Sequence, residues 1–183
     1  MQKTRPVKTA QATNTSGCGI FVLYKTTVQC IMPYTNYLKK ILTSRVYEIT
    51  SETALEFAPQ ISRRIHNHVY LKREDTHAVF SYKIRGAYNK MAQLTPEQLK
   101  KGVITASAGN HAQGVAYSAA KLKCHATIVV PETTPAIKVE AIQRFGGEYV
   151  EIVLHGGSYS DALEKALQLE KTRKLTFVHP YDD

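Results

Sequence analysis

Four short apolar runs, separated by helical segments of similar length, constrain the fold of this chain more than any other feature. The runs have the length of buried β-strands and occupy residues 103–106, 126–130, 149–153 and 175–178. The segments between them, of about ten to fifteen residues, place apolar side chains at helical spacing. Such an alternation is typical of right-handed βαβ units, in which helices cover both faces of a parallel sheet. The sequence therefore predicts an α/β fold with a parallel sheet.

Capping residues mark where several of these helices begin and end. Thr95 with Gln98 has the composition of a capping box, and Ser158 with Asp161 repeats the pattern. Gly146-Gly147 is placed to end the helix between them. These signals agree with the strand spacing and strengthen the α/β prediction.

The net charge of +9 is concentrated at the amino-terminal end of the chain. Seven of the 24 Lys and Arg residues precede Glu48, the first acidic residue. From Glu48 onwards, 17 basic and 15 acidic residues nearly balance. A nucleic-acid-binding domain would carry its basic residues on the folded body, among exposed aromatic side chains. The sequence therefore predicts no nucleic acid partner. It also predicts no membrane association, because no apolar run is long enough to span a bilayer.

Residues 1–35 differ in composition from the rest and are predicted to be a disordered or extraneous leader. They contain Lys and Arg but no acid, and Thr, Gln, Ala and Asn are frequent up to Ser16. An organelle transit peptide has the same features, so an organelle is the alternative to a cytoplasmic location. Cys18, Cys30 and Cys124 form no disulfide framework, which indicates a reducing compartment.

A lysine at a predicted helix start is the first candidate for chemistry. Val69–Lys72 is predicted to be a buried strand, and a helical pattern opens near Ser81, the candidate N-cap. Lys83 then lies in the first turn, where the helix dipole and the neighbouring Arg85 both favour its neutral amine. A neutral lysine amine can form Schiff bases and remove protons. The alternative is a solvated surface cation, the common state of a lysine on a helix.

A second candidate segment, Ser107-Ala108-Gly109-Asn110-His111, follows the first predicted strand of the sheet. Its small residues let a ligand approach the backbone, and ligands of open α/β sheets bind beyond the carboxyl ends of the strands. Ser107 and the amides of the next helix can bind a carboxylate or phosphate, and Asn110 can hydrogen-bond a ring hydroxyl. The alternative is a plain strand-to-helix turn in which Asn110 caps the helix.

Three segments together resemble one enzyme family. They are Lys72-Arg73-Glu74-Asp75, Ser81-Tyr82-Lys83-Ile84-Arg85-Gly86-Ala87 and Ser107-Ala108-Gly109-Asn110-His111-Ala112-Gln113-Gly114. Through them the chain resembles the biosynthetic threonine dehydratases (threonine ammonia-lyases), pyridoxal-phosphate enzymes of the tryptophan-synthase-β fold type. The resemblance implies deamination of L-threonine to 2-oxobutanoate and ammonia in isoleucine biosynthesis. It also implies L-serine as a poorer substrate and a homo-oligomer for the intact enzyme.

The resemblance also assigns roles to individual residues. Lys83 would form the internal aldimine with pyridoxal 5'-phosphate and would remove the α-proton of the substrate. Tyr82, where the family usually has Phe, would pack against the cofactor, and Asn110 would bond its 3-hydroxyl. The substrate carboxylate would be bound by the loop that contains Ser107, Ala108, Gly109 and His111.

The family pattern further predicts a division into domains. Residues 36–86 would belong to the large cofactor domain, residues 87–178 would form a nearly complete small α/β domain, and residues 179–183 would return to the large domain. The resemblance places the glycine-rich loop that binds the cofactor phosphate beyond Asp183. The chain is therefore expected to be a fragment with weak activity or none.

Several alternatives remain open from the sequence. The chain is interpreted either as a working part of a threonine dehydratase or as a non-catalytic remnant of one. A serine racemase or a catabolic serine/threonine dehydratase would share the same motifs. A metal site is not predicted, because His66 and His68 have no further ligand at a suitable spacing.

Overall fold

The computed structural model describes residues 34–182 and confirms the α/β fold. Most of the predicted leader, with Cys18 and Cys30, lies outside the described residues. The helices are α1 (Tyr34–Leu42), α2 (Pro59–Ile65), α3 (Lys83–Ala92), α4 (Pro96–Lys101), α5 (Asn110–Leu122), α6 (Ala136–Gly146) and α7 (Tyr159–Arg173). The strands are β1 (Leu55–Phe57), β2 (Tyr70–Lys72), β3 (Val103–Ala106), β4 (Ala126–Val130), β5 (Val150–Leu154) and β6 (Thr176–Phe177). Short 3-10 helices cover Val46–Glu48, Glu74–Thr76 and Gly147–Tyr149.

Strands β3 to β6 form a parallel sheet in the order β5-β4-β3-β6. The central pair, β3 and β4, is in register from Val103 opposite Ala126 onwards. Both strands are fully buried, as expected for a parallel sheet with helices on both faces. Two predicted strands have the observed bounds, and the other two differ by one residue at each end.

Helices cover both faces of this sheet. On one face Met91, Val115 and Ile142 bring α3, α5 and α6 into the main apolar core. On the other face Ala162 and Ala166 of α7 pack against β3 and β4. Because successive strand residues point to opposite faces, both faces of β3 and β4 must be apolar. This requirement explains why these strands read as continuous apolar runs rather than as alternating ones.

The first part of the described chain contains a two-stranded antiparallel sheet of β1 and β2. All six residues of these strands are exposed, and Tyr70 and Leu71 keep 56% and 44% of their surface. The strand expected over Val69–Lys72 therefore forms, at Tyr70–Lys72, but the expectation that it is buried is wrong. A two-stranded ladder makes no second layer, and the described residues leave its apolar side chains uncovered.

Helix α3 crosses the predicted domain boundary between Gly86 and Ala87. Its buried side chains include Ile84 on one side of that boundary and Met91 on the other. The helix therefore joins the two predicted parts, and their division stays a prediction.

The capping box at the start of α7 offers a test of local stability. The Ser158 hydroxyl accepts a hydrogen bond from the Asp161 backbone N–H over 3.3 Å, and the Asp161 carboxylate accepts one from the Ser158 N–H over 2.9 Å. Replacing Ser158 with alanine is expected to lower the free energy of unfolding by about 1 kcal/mol. Urea unfolding measures this loss, with Ser160→Ala inside the same helix as the control. Equal losses in the two variants would contradict the capping role.

Candidate active site

Lys83 is the first residue of α3, at the point where the chain turns into the helix. Its backbone N–H donates to the hydroxyl of Ser81 over 3.3 Å, and Ser81 is buried. Tyr82 rather than Ser81 occupies the N-cap position, so the helix begins one residue later than expected. The expectation that Lys83 lies in the first turn is confirmed.

A cavity of about 790 Å³ lies beside Lys83. Its size is that of a small-molecule site. Helix α3 and the segment after β6 form most of the wall, and α5 contributes one residue. The wall consists of Tyr82, Lys83, Gly86, Ala87, Asn89, Lys90, Gln93, Leu94, His111, Val178, His179, Pro180 and Tyr181. The amine-bearing start of α3 therefore faces a space large enough for a ligand.

His111 is the residue of α5 that reaches this cavity. Its ring is buried, and its Nε2 atom donates to the carbonyl oxygen of Val178 over 3.1 Å. The bond ties the start of α5 to the end of β6. Among the predicted site residues, the structure thus brings Tyr82, Lys83 and His111 into one wall.

The other predicted site residues lie at the turn between β3 and α5 and form no part of that wall. Ser107 accepts a hydrogen bond from the Gly109 N–H over 3.4 Å, which shapes the turn. Asn110 is the first residue of α5 and is exposed, and Gly109 holds the cap position without a side-chain bond. The alternative in which Asn110 caps the helix is therefore wrong. Ala108 packs against the apolar core.

Helix α5 lies directly against the start of α3 because Gly114 has no side chain. A Cβ atom at this position would lie 3.3 Å from Ile84 Cα and 3.4 Å from the Lys83 carbonyl oxygen. Both obstacles are backbone atoms, which cannot move aside as a side chain can. The close contact fixes His111 and its loop relative to Lys83.

Arg85 does not act as an uncompensated positive charge beside Lys83, which corrects the electrostatic expectation. Its Nε and Nη2 atoms donate to the two carboxylate oxygens of Glu74 over 2.7 and 3.1 Å. The guanidinium also donates to the Thr50 hydroxyl and to the Ser51 carbonyl oxygen. The charge of Arg85 is therefore neutralised by Glu74, and its side chain anchors the loop before β1.

This ion pair makes the stability of the fold sensitive to acid. The pKa of the Glu74 carboxyl falls from 4.5 to about 2, chiefly because Arg85 hydrogen-bonds it, with help from Thr53 and His77. The Glu74 carboxylate thus binds a proton more weakly in the folded state than in the unfolded chain. The stability that the Glu74–Arg85 ion pair contributes is therefore complete above pH 4.5 and is lost as the pH falls towards 2. Urea unfolding at several pH values should show the parent losing about 1–3 kcal/mol more than Glu74→Gln. Parallel pH profiles for the two proteins would contradict this assignment.

Ten of the thirteen wall residues do not figure among the site residues expected from the sequence, and Tyr181 and Asn89 are the two of them with polar groups of interest. The Nζ atom of Lys83 lies 5.3 Å from the ring centre of Tyr181, within the range of a cation–π contact. The Oδ1 atom of Asn89 is buried and has no hydrogen-bond partner among the described residues. The Tyr181 contact joins segments far apart in the chain, so no local pattern indicates it.

Comparison with known proteins identifies the family. The family described as "Pyridoxal-phosphate dependent enzyme" matches residues 46–183. The chain belongs to this family. It is 60% identical to the biosynthetic L-threonine dehydratase of Burkholderia multivorans over 148 residues, and 51% identical to a threonine dehydratase of Nicotiana attenuata over 146 residues. These matches cover 81% and 80% of this chain but only 29% and 24% of the two relatives, so the chain spans less than a third of their length.

Solved structures give the same result. The processed form of threonine deaminase isoform 2 from Solanum lycopersicum superposes with a TM-score of 0.76 at 48% identity, covering 81% of this chain and 40% of that one. Maize serine racemase superposes with a TM-score of 0.73 at 28% identity, covering 81% of this chain and 44% of that one. The resemblance to threonine dehydratases is confirmed, and serine racemase is the more distant of these two structures in sequence.

The residues of the cavity wall fit the cofactor of this family. Lys83 offers a primary amine, the group that condenses with an aldehyde. Gly86 and Ala87 present little bulk beside it, which leaves room for a planar ring. Asn89 leaves hydrogen-bonding capacity unused in the same wall. The amine, the space and the unpaired amide oxygen are therefore compatible with the aldehyde end of pyridoxal phosphate.

Two other kinds of site are absent from residues 34–182. No group of three His, Cys, Asp or Glu side chains in this range could hold a metal ion. Within the same range, no helix combines the length and the apolar composition needed to cross a bilayer.

Proposed function

We propose that this chain is part of a pyridoxal-phosphate-dependent enzyme that deaminates L-threonine to 2-oxobutanoate and ammonia. The observation that carries the proposal is the primary amine of Lys83 in the wall of the large cavity, in a chain of this family. The similarity to threonine dehydratases of Burkholderia multivorans and Nicotiana attenuata favours L-threonine over L-serine. Isoleucine biosynthesis is the corresponding setting.

The proposed roles of the residues follow from their chemistry. Pyridoxal phosphate, when bound, supplies an aldehyde and an electron-withdrawing ring that stabilises negative charge at the substrate Cα. Lys83 Nζ holds the cofactor and accepts the α-proton of the substrate. The family resemblance gives Tyr82 a packing contact with the cofactor ring and gives Asn110, which lies outside the cavity wall, a hydrogen bond to the ring hydroxyl. The backbone and side chains that bind the substrate carboxylate are those of Ser107, Ala108, Gly109 and His111.

Cofactor attachment tests the role of this chain directly. The purified chain is incubated with pyridoxal 5'-phosphate and treated with borohydride, and the labelled lysines are then mapped by mass spectrometry. We expect label on Lys83 well above that on Lys100 and Lys101, two exposed lysines of α4. Equal labelling of the three would favour a non-catalytic remnant.

Product analysis tests the reaction. The complete gene product is supplied with L-threonine and with L-serine, and 2-oxobutanoate and D-serine are measured separately. Formation of 2-oxobutanoate from L-threonine supports the proposal. Formation of D-serine without 2-oxobutanoate would support a serine racemase, the second candidate, which the superposition with the maize enzyme favours.

Assembly and location complete the proposal. We propose a homo-oligomer, which light scattering on the complete gene product would test.

We also propose a cytoplasmic location. Relatives from Solanum lycopersicum and Arabidopsis thaliana that are named chloroplastic support the organelle alternative. Fusing residues 1–35 to a fluorescent protein separates the two, because only a transit peptide would redirect the fusion.

A further inference from the structure

The Glu74 carboxylate binds side chains at both ends of residues 78–84, the segment that contains Lys83. Glu74 lies in the 3-10 helix that follows β2. Its Oε2 atom accepts hydrogen bonds from His77 Nε2 over 2.9 Å and from Arg85 Nε over 2.7 Å. Its Oε1 atom accepts one from the Thr53 hydroxyl over 2.7 Å. Residues 78–84, with Lys83 among them, thus lie between two side chains bound to the same group.

The segment between these anchors is strained. Phe80 has a φ of +54°, in the left-handed region that side chains other than glycine rarely adopt. Phe80 keeps 70% of its surface exposed, so packing of the ring does not account for this conformation. A hydrogen bond from the Phe80 N–H to the His77 carbonyl oxygen, 2.8 Å long, closes the turn. His66, Lys123 and Lys174 adopt a similar φ at the ends of α2, α5 and α7, whereas Phe80 ends no helix, so contacts from elsewhere must hold its conformation.

The anchors are also sheltered from water. The side chains of His77, Glu74 and Arg85 are only 3%, 17% and 23% exposed. Hydrogen bonds to a charged group are stronger than neutral ones, and partial burial reduces their screening by salt. The hydrogen bonds of Glu74 to His77 and Arg85 are therefore strong enough to stabilise the turn at Phe80, next to the Lys83 amine.

We propose that Glu74 is a positioning residue that keeps Phe80 in its left-handed conformation and thereby directs the Lys83 amine into the cavity. We call Glu74 with His77, Arg85 and Thr53 the Glu74 clamp. The part of this inference that concerns cofactor attachment to Lys83 rests on the proposed function. The mechanical part of the inference, that Glu74 holds residues 78–84, stands on the geometry alone.

Amide hydrogen exchange tests the mechanical part without any cofactor. In Glu74→Gln the carboxylate charge is lost at nearly constant volume, and exchange in a peptide covering residues 78–84 should accelerate about tenfold. Glu151→Gln is the matched control, because Glu151 also binds an arginine and a threonine but lies on β5. Unchanged exchange over residues 78–84 in Glu74→Gln, or equal acceleration in both variants, overturns the proposal.

The labelling of Lys83 tests the positioning role. After treatment with pyridoxal 5'-phosphate and borohydride, the ratio of label on Lys83 to label on Lys100 should fall about tenfold in Glu74→Gln. Adding Phe80→Gly should restore at least half of that loss, because glycine adopts a positive φ without strain and needs no clamp. A merely structural role of Glu74 predicts no such rescue. If the second substitution lowers the ratio further, the proposal is overturned.

The two experiments separate failure of this inference from failure of the proposed function. If the parent chain shows no preference for Lys83, the proposed cofactor attachment fails, and hydrogen exchange still decides whether the Glu74 clamp exists. If Lys83 is labelled preferentially in both the parent and Glu74→Gln, cofactor attachment stands and the positioning role is overturned.

Discussion

Replacing Lys83 with alanine is expected to abolish the specific attachment of pyridoxal phosphate to this chain. The amine at the start of α3 is the group in the cavity wall proposed to bond the cofactor aldehyde, and alanine puts no amine in its place. In the complete gene product the same change should lower threonine deamination by about 10²–10⁴-fold or more, because it also removes the proposed proton acceptor. Mass spectrometry after borohydride treatment and an assay for 2-oxobutanoate measure the two effects.

Two further variants show whether this loss comes from the amine itself. Lys83→Arg keeps the positive charge but offers a guanidinium, which forms no stable bond with an aldehyde, so attachment should be lost while the fold is kept. Lys100→Ala, on the exposed side of α4, should leave attachment unchanged. Specific labelling that survives in Lys83→Ala would remove Lys83 from the proposed mechanism.

Gly114→Val is expected to cost about 1–3 kcal/mol in the free energy of unfolding and to separate α5 from α3. A valine Cβ would lie 3.3 Å from Ile84 Cα, and its methyl groups would meet the same backbone. The obstacle is the first turn of α3, so the helices must move apart, and the position of His111 relative to Lys83 changes with them. Urea unfolding measures the loss of stability, and the labelling ratio of Lys83 reports the displacement.

Gly86→Ala is the matched control for that variant. Gly86 is also a helical glycine, but a Cβ atom there would have no atom within 4 Å. Alanine should therefore stabilise α3 by about 0.5–1 kcal/mol, the difference in helix propensity between the two residues. If Gly114→Val were as well tolerated as Gly86→Ala, the close approach of α3 and α5 would be wrong.

The parallel sheet follows from local patterns. The buried strands β3 and β4 appear in the sequence as apolar runs with the bounds seen in the structure. The capping boxes at Thr95 and Ser158 form as their side chains predict. These features depend on the nearest neighbours in the chain, whose preferences the sequence displays directly. The exposure of β2 cannot be predicted in this way, because the burial of a strand depends on which other segment packs over it.

In the candidate site, too, some features can be predicted from local sequence and others depend on tertiary packing. Lys83 can be singled out from the residues around it and from the family resemblance, and its position at the helix start needs only the local pattern. The compensation of Arg85 by Glu74 cannot be read from spacing, because charged neighbours in sequence need not be neighbours in space. The separation of Asn110 from the cavity wall depends on how a whole helix is placed, which is a property of packing.

By itself the sequence determined that this chain builds a parallel α/β sheet, and it singled out Lys83 as the candidate to bond an aldehyde. Both follow from side-chain periodicity and chemistry, which are fixed residue by residue. Only the tertiary structure decided that Tyr181 and His111 share a cavity wall with this lysine and that Glu74 binds His77 and Arg85 on either side of the turn before it. Such contacts join residues that chain folding alone brings together, and they carry no local signal that a sequence could display.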